Sequence, residues 1–141
     1  MGMNAELVRS FYEAWNRRAF ADLGAMLSPD VEWYDVARAE AVRGREATRS
    51  LLGSLAEAFP AAWVELGAVH EVGDVVVAEC TYTRTAGGRW PRRPTTCDVI
   101  ELSGGLIVRG RTYADAVRTA LDLGAEAQAA DAQARVVARV A

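Results

Sequence analysis

The feature that most restricts the fold is a change of hydrophobic period at Pro60. Before it, apolar residues recur mostly at helical spacing, broken by one strand-like run, Val31-Glu32-Trp33-Tyr34-Asp35. Beyond it they follow strand spacing in four runs: Ala61 to Val72, Val75 to Thr85, Thr95 to Leu102 and Leu106 to Ala114. Gly73-Asp74 and Ser103-Gly104-Gly105 supply the tight turns of two hairpins. The order is therefore helix, helix, strand, helix, then four strands in a meander. Such segregation predicts an α+β domain with an antiparallel sheet. Three helices covering one face of a curved sheet leave a cone with a cavity, where a ligand would sit.

The helices are read from their apolar stripes. The first is expected from Asn4, as N-cap, to Arg18, with Leu7, Val8, Phe11 and Trp15 facing inward. Tyr12 lies about 100° round from Phe11 and would need a rotated helix to reach the interior. A second helix, Phe20 to Leu27, is expected to stop at Ser28-Pro29-Asp30. A third, Arg45 to Phe59, should turn Leu51, Leu52, Leu55 and Phe59 inward. The loop from Ala86 to Pro94 carries Trp90 and several Arg, which either cover a pocket mouth or are simply solvated. An Ala-rich tail after Asp115 favours helix, giving two units, 1–115 and 116–141.

Composition supports a packed core: 141 residues, 51% hydrophobic and 25% charged. A net charge of -3 gives no footprint for nucleic acid, and no apolar run is long enough to span a membrane. Two Cys without CxxC spacing form neither a disulfide framework nor a zinc site, and His70 is the single His, so no metal is expected. A cytoplasmic location follows as the expectation.

The residue with chemical promise is Asp98. In its strand, Thr96, Asp98 and Ile100 share one face, and Cys97, Val99 and Glu101 the other. A mid-strand carboxylate among apolar neighbours is either on a wet face, capping a backbone group, or buried and paired. A second carboxyl, Asp35, ends the apolar face of Val31 and Trp33, or else merely initiates a turn. Cys80, Tyr82 and Arg84 share one face of their strand; Val108, Gly110, Thr112 and Ala114 form a small, neutral face on theirs.

Several stretches resemble the SnoaL-like, nuclear transport factor 2-like superfamily. They are Phe11-Tyr12-Glu13-Ala14-Trp15-Asn16, Met26-Leu27-Ser28-Pro29-Asp30-Val31-Glu32-Trp33, Gly44-Arg45-Glu46-Ala47, and Gly105-Leu106-Ile107-Val108 leading to Arg111-Thr112-Tyr113-Ala114-Asp115. The resemblance covers residues from about 4 to 115 and implies a cone-shaped, cystatin-like α+β barrel. The superfamily holds isomerases, polyketide cyclases, dehydratases, epoxide hydrolases and non-catalytic binders, so fold alone does not choose among them. Compared with ketosteroid isomerases, Asp35 falls at the general base and Asp98 at the acid that stays protonated in an apolar site. Their oxyanion Tyr is matched by Phe11 here, which leaves Tyr82 as the candidate replacement. The Asp-Arg-Asp triad of limonene epoxide hydrolase would fall at Tyr82, Cys80 and Thr112, and none of it is kept. The resemblance also implies a homodimer through the outer sheet face.

Two carboxyls in one dry pocket cannot both ionise cheaply, so the pair should split into a base, Asp35, and a neutral acid and oxyanion donor, Asp98. Phe11, Trp15, Trp33, Leu55, Phe59, Cys80, Ile100, Gly110 and Thr112 are the expected pocket lining; Tyr12, His70, Arg84 and Trp90 are secondary candidates. No phosphate loop or cofactor fingerprint is present, so the expected chemistry is cofactor-free proton transfer on a hydrophobic small molecule. The alternatives are a non-catalytic ligand-binding or protein-interaction module, and a dehydratase using His70.

Overall fold

The computed structural model describes residues 2–35, 40–83 and 96–114. Arg84, Trp90 and the segment 116–141 lie outside the described residues. Three helices, α1 (Met3–Asn16), α2 (Phe20–Ala25) and α3 (Arg45–Ala58), pack against a curved six-stranded sheet. The strands are β1 (Leu27–Asp35), β2 (Val42–Arg43), β3 (Trp63–Val72), β4 (Val75–Thr83), β5 (Thr96–Ser103) and β6 (Leu106–Ala114). Their spatial order is β2-β1-β6-β5-β4-β3.

The α+β cone and the four-strand meander are as expected, but the sheet is mixed. β1 runs parallel to β6, whereas the pairs β3–β4, β4–β5 and β5–β6 are antiparallel. No hairpin joins β1 to the meander; α3 separates them in the chain, so turn geometry does not dictate their direction. The chain also enters β1 earlier than the Ser-Pro-Asp signal suggests. α2 ends at Ala25, and Ser28, Pro29 and Asp30 belong to the strand. Pro29 is tolerated on this exposed stretch, where β1 and β6 pair irregularly between Leu27 and Glu32.

The expected Asn4 cap is replaced. α1 begins at Met3, and the Ala5 N–H at its start donates to the Glu71 carboxylate of β3 at 2.6 Å. A carboxylate there satisfies an orphan donor and opposes the helix dipole. At the other end, Asn16 bonds both backbone groups of Val64, accepting from its N–H at 2.8 Å and donating to its carbonyl at 2.9 Å. A side-chain amide thus takes the place of a missing neighbour strand on the β3 edge. Arg18, at φ 59, donates to the carbonyls of Trp15 and Ala62 and lies 4.3 Å from the centre of the Trp15 ring.

α3 is turned from the expected stripe. Thr48 and Ala56 are its buried residues and Leu52 packs on the core, one helical row apart; Leu51 and Leu55 are half-buried beside that row. Small residues at 48 and 56 let the helix approach the sheet closely. The core itself is held by Val8, Leu23, Leu27, Val76, Ile100 and Ile107, all fully buried.

Two β-bulges re-aim side chains. Leu66 pairs with Cys80 and Val69 with Ala78, so β3 carries one extra residue between them. Beyond that point the faces swap: Val69 packs on the core and His70 is exposed. In β6, Leu102 pairs with Ile107 and Glu101 with Arg109, which makes Val108 the extra residue. Ile107, not Val108, therefore joins Gly110 on the buried side.

Candidate active site

The site is built on neighbouring rungs of β1, β6, β5 and β4. Asp35 pairs with Thr112, Thr112 with Asp98, and Asp98 with Ala78. Trp33, Gly110, Ile100 and Val76 form the next rung. Thr112 stands between the two aspartates, whose Cα atoms are separated by two strand spacings, roughly 10 Å.

Asp98 is 3% exposed. Thr96 and Ile100 are buried on the same face, in line with the strand alternation. Its two oxygens are held by two hydroxyls. Tyr12 Oη, from α1, donates to Oδ2, and Thr112 Oγ1, from β6, donates to Oδ1 at 2.7 Å. Thr112 Oγ1 in turn accepts from Trp33 Nε1 at 2.9 Å. Burial pushes the Asp98 carboxyl up to about 6; the hydrogen bonds from Tyr12 and Thr112 oppose that rise, and the charge of Asp35 adds to it. The Tyr12 phenol is held well above its ordinary value, first by burial and then by the facing Asp98, so it remains a hydrogen donor at physiological pH.

Tyr12 corrects the sequence reading, in which it needs a rotated helix and Tyr82 supplies the cavity hydroxyl. The buried face of α1 instead includes Ala5, Val8, Tyr12 and Trp15, and it aims the phenol at Asp98. The 3-4-3 spacing of those four residues is the signal in the sequence. Phe11 lies beside it, stacked on Trp33 at 5.7 Å and edge-on to Tyr12 at 5.4 Å. Tyr82 is half-buried and packs edge-on against Trp15 at 6.0 Å. Burial raises its phenol well above the ordinary value, with Cys80 and Asp98 adding to that.

Phe11, Trp15, Trp33, Cys80 and Ile100 are packed into the core, and Phe59 lies against it. Gly110 admits the Trp33 indole: a Cβ there would sit 2.5 Å from the ring. Leu55 is half-buried on α3. Asp35 is half-buried at the end of β1. His70 is exposed on β3, while its neighbour Val69 packs on the core. The reason is the β3 bulge, invisible to simple alternation. Burial pushes the Cys80 thiol up, so it is no nucleophile. An open groove of about 210 Å³, lined by Arg9, Tyr12, Glu13, Asn16, Val64 and Leu66, borders Tyr12 between α1 and β3. Among the described residues no group of His, Cys, Asp and Glu is arranged to hold a metal, and no helix is long and apolar enough to cross a membrane.

Three helices packed on an open, curved, mixed six-stranded sheet define the class. The sequence matches the SnoaL-like domain family over residues 8–110, and the chain belongs to that family. No curated protein matches it. Solved structures share the fold. Wild-type IdmH, a proposed polyketide cyclase from Streptomyces antibioticus, is 20% identical, with 87% of this chain and 99% of that one covered at a TM-score of 0.71. Bal32a, from a soil-derived mobile gene cassette, is 26% identical over 87% of this chain and 92% of its own, at 0.68. A proposed ketosteroid isomerase from Kribbella flavida is 18% identical over 79% and 77%, at 0.65.

Proposed function

We propose that this protein is a cofactor-independent acid–base enzyme acting on a hydrophobic small molecule, by proton transfer of the isomerase or polyketide-cyclase kind. The observation that carries this reading is Asp98: a buried carboxyl, engaged at both oxygens by neutral hydroxyls and pushed up to about 6 by burial. A carboxyl poised near neutrality exchanges protons efficiently in both directions. In this reading Asp35 takes the proton from a carbon next to a carbonyl. Protonated Asp98 donates to Tyr12, and Tyr12 donates to the oxyanion that forms, in the place that the resemblance gives to Tyr82. The protein works in the cytoplasm, as a homodimer through the outer sheet face, where Tyr113 is exposed.

The test works on a panel of hydrophobic ketones, whichever of them the natural substrate resembles. Each is incubated with the protein in heavy water, and deuterium entry beside the carbonyl is followed by NMR. Wild type should accelerate exchange for at least one member, and Asp98→Asn should lower that rate at least about 100-fold. A second reading, a ligand-binding module without turnover, draws on the other side of the same geometry: both Asp98 oxygens are already taken by the protein's own hydroxyls. Saturable binding of a ketone with no exchange, unchanged in Asp98→Asn, would select it.

A further inference from the structure

The chain Trp33–Thr112–Asp98 has a fixed direction. An indole N–H can only donate, so Trp33 Nε1 claims a lone pair of Thr112 Oγ1 at 2.9 Å. The Thr112 hydrogen is then directed at Asp98 Oδ1, 2.7 Å away. Each donated bond polarises the next, so the indole makes Thr112 a better donor. Both donors are anchored. Trp33 is stacked on Phe11 and laid against the Gly110 backbone, while Thr112 is the strand neighbour of both Asp35 and Asp98.

We infer that Trp33 and Thr112 are positioning residues which hold Asp98 Oδ1 as an acceptor and so direct the exchangeable proton to Oδ2, beside Tyr12. With Oδ1 committed, a proton on Asp98 sits on the oxygen that Tyr12 meets. Tyr12 then accepts from Asp98 and turns its own O–H toward a ligand oxygen. When the Tyr12 proton passes to the ligand oxygen and the Asp98 proton passes to Tyr12, both bonds reverse, so the dyad exchanges its proton at the Oδ2 edge only. The consequence for catalysis rests on the acid–base reading; the hydrogen-bond direction does not.

The test is a carbon-detected titration of the Asp98 carboxyl. The other groups facing it are Tyr12 from α1, Asp35 from β1, and Cys80 and Tyr82 from β4, with Cys97 adjacent on β5; all stay in place in the variants. Thr112→Val removes a donor to the carboxylate and should raise the midpoint by about one pH unit. Trp33→Phe keeps a ring over Gly110 but frees the Thr112 hydroxyl, and should raise it by less. Thr112→Ser should leave it in place. Proton exchange of the Trp33 indole N–H supplies a check in otherwise native protein: slow in wild type and Thr112→Ser, fast in Thr112→Val. An unmoved Asp98 midpoint in Trp33→Phe, or an unprotected indole in wild type, overturns the proposal. Should the midpoints move as expected while no ketone exchanges, the positioning stands and the enzymatic reading falls.

Discussion

Asp98 and Glu101 are carboxyls on the same strand, three residues apart and on opposite faces. Glu101 looks outward and is paired with Arg109 at 3.3 Å and Arg111 at 2.9 Å, all partly solvated. Asp98 looks inward and bonds to hydroxyls of Tyr12 and Thr112. Guanidinium partners favour the charged form and make a carboxylate a structural tie. Hydroxyls satisfy hydrogen bonds without cancelling charge, so burial keeps the upper hand and pushes the Asp98 carboxyl up to about 6. The choice of partner, more than the presence of a carboxyl, separates a site from a surface ion pair.

The largest expected effect is on turnover. Asp98→Asn should cost at least about 100-fold in ketone proton exchange, and Glu101→Gln should leave the rate within about twofold. Equal losses in the two variants would erase the distinction between the faces.

Stability against pH comes next. The folded value of about 6 lies above the ordinary value of 3.8, so the native state binds more protons than the unfolded state between those limits. The contribution of Asp98 is therefore fully present below about pH 4 and is lost as pH rises through 6, amounting to about 3 kcal/mol. Urea unfolding of wild type and Asp98→Asn across pH 4 to 7 measures the difference, which cancels the other carboxylates. A flat difference would mean that Asp98 is wetter than its burial indicates.

A smaller loss should follow Gly110→Ala. The added methyl meets the Trp33 indole at 2.5 Å, so the ring must shift, at about 1–3 kcal/mol. Displacing the indole should also lengthen its bond to Thr112 and raise the Asp98 midpoint, which ties packing to the inner carboxyl. Chemical denaturation and the same carboxyl titration read both effects.

What could be read from the sequence followed the regularity of each element. Alternation placed Thr96, Asp98 and Ile100 on one face, and the structure buries that face, because β5 is unbroken on that stretch. It failed for His70 and Val108 because each strand carries one inserted residue, and a single insertion swaps every face beyond it. Helical spacing found the apolar side of α1 but missed its centre. Tyr12, peripheral by that spacing, lies on it, since an angular error of one residue costs little in hydrophobicity and changes which hydroxyl meets the carboxyl. Thr112 was visible as a small, neutral residue; its part in the hydrogen-bond chain depended on strand register, which no local pattern encodes.

The smallest effect belongs to the outer carboxyl and sharpens the comparison most cleanly. Glu101→Gln removes the carboxylate that Arg109 and Arg111 share across β5 and β6. Because all three side chains reach solvent, the loss should stay below about 1 kcal/mol and vanish in roughly 1 M salt. The pH dependence attributed to Asp98 should persist in that salt, since a buried group feels little screening. A salt-sensitive Asp98 slope, measured in the Glu101→Gln background, would place both carboxyls in one electrostatic environment and remove the reason for assigning chemistry to only one face.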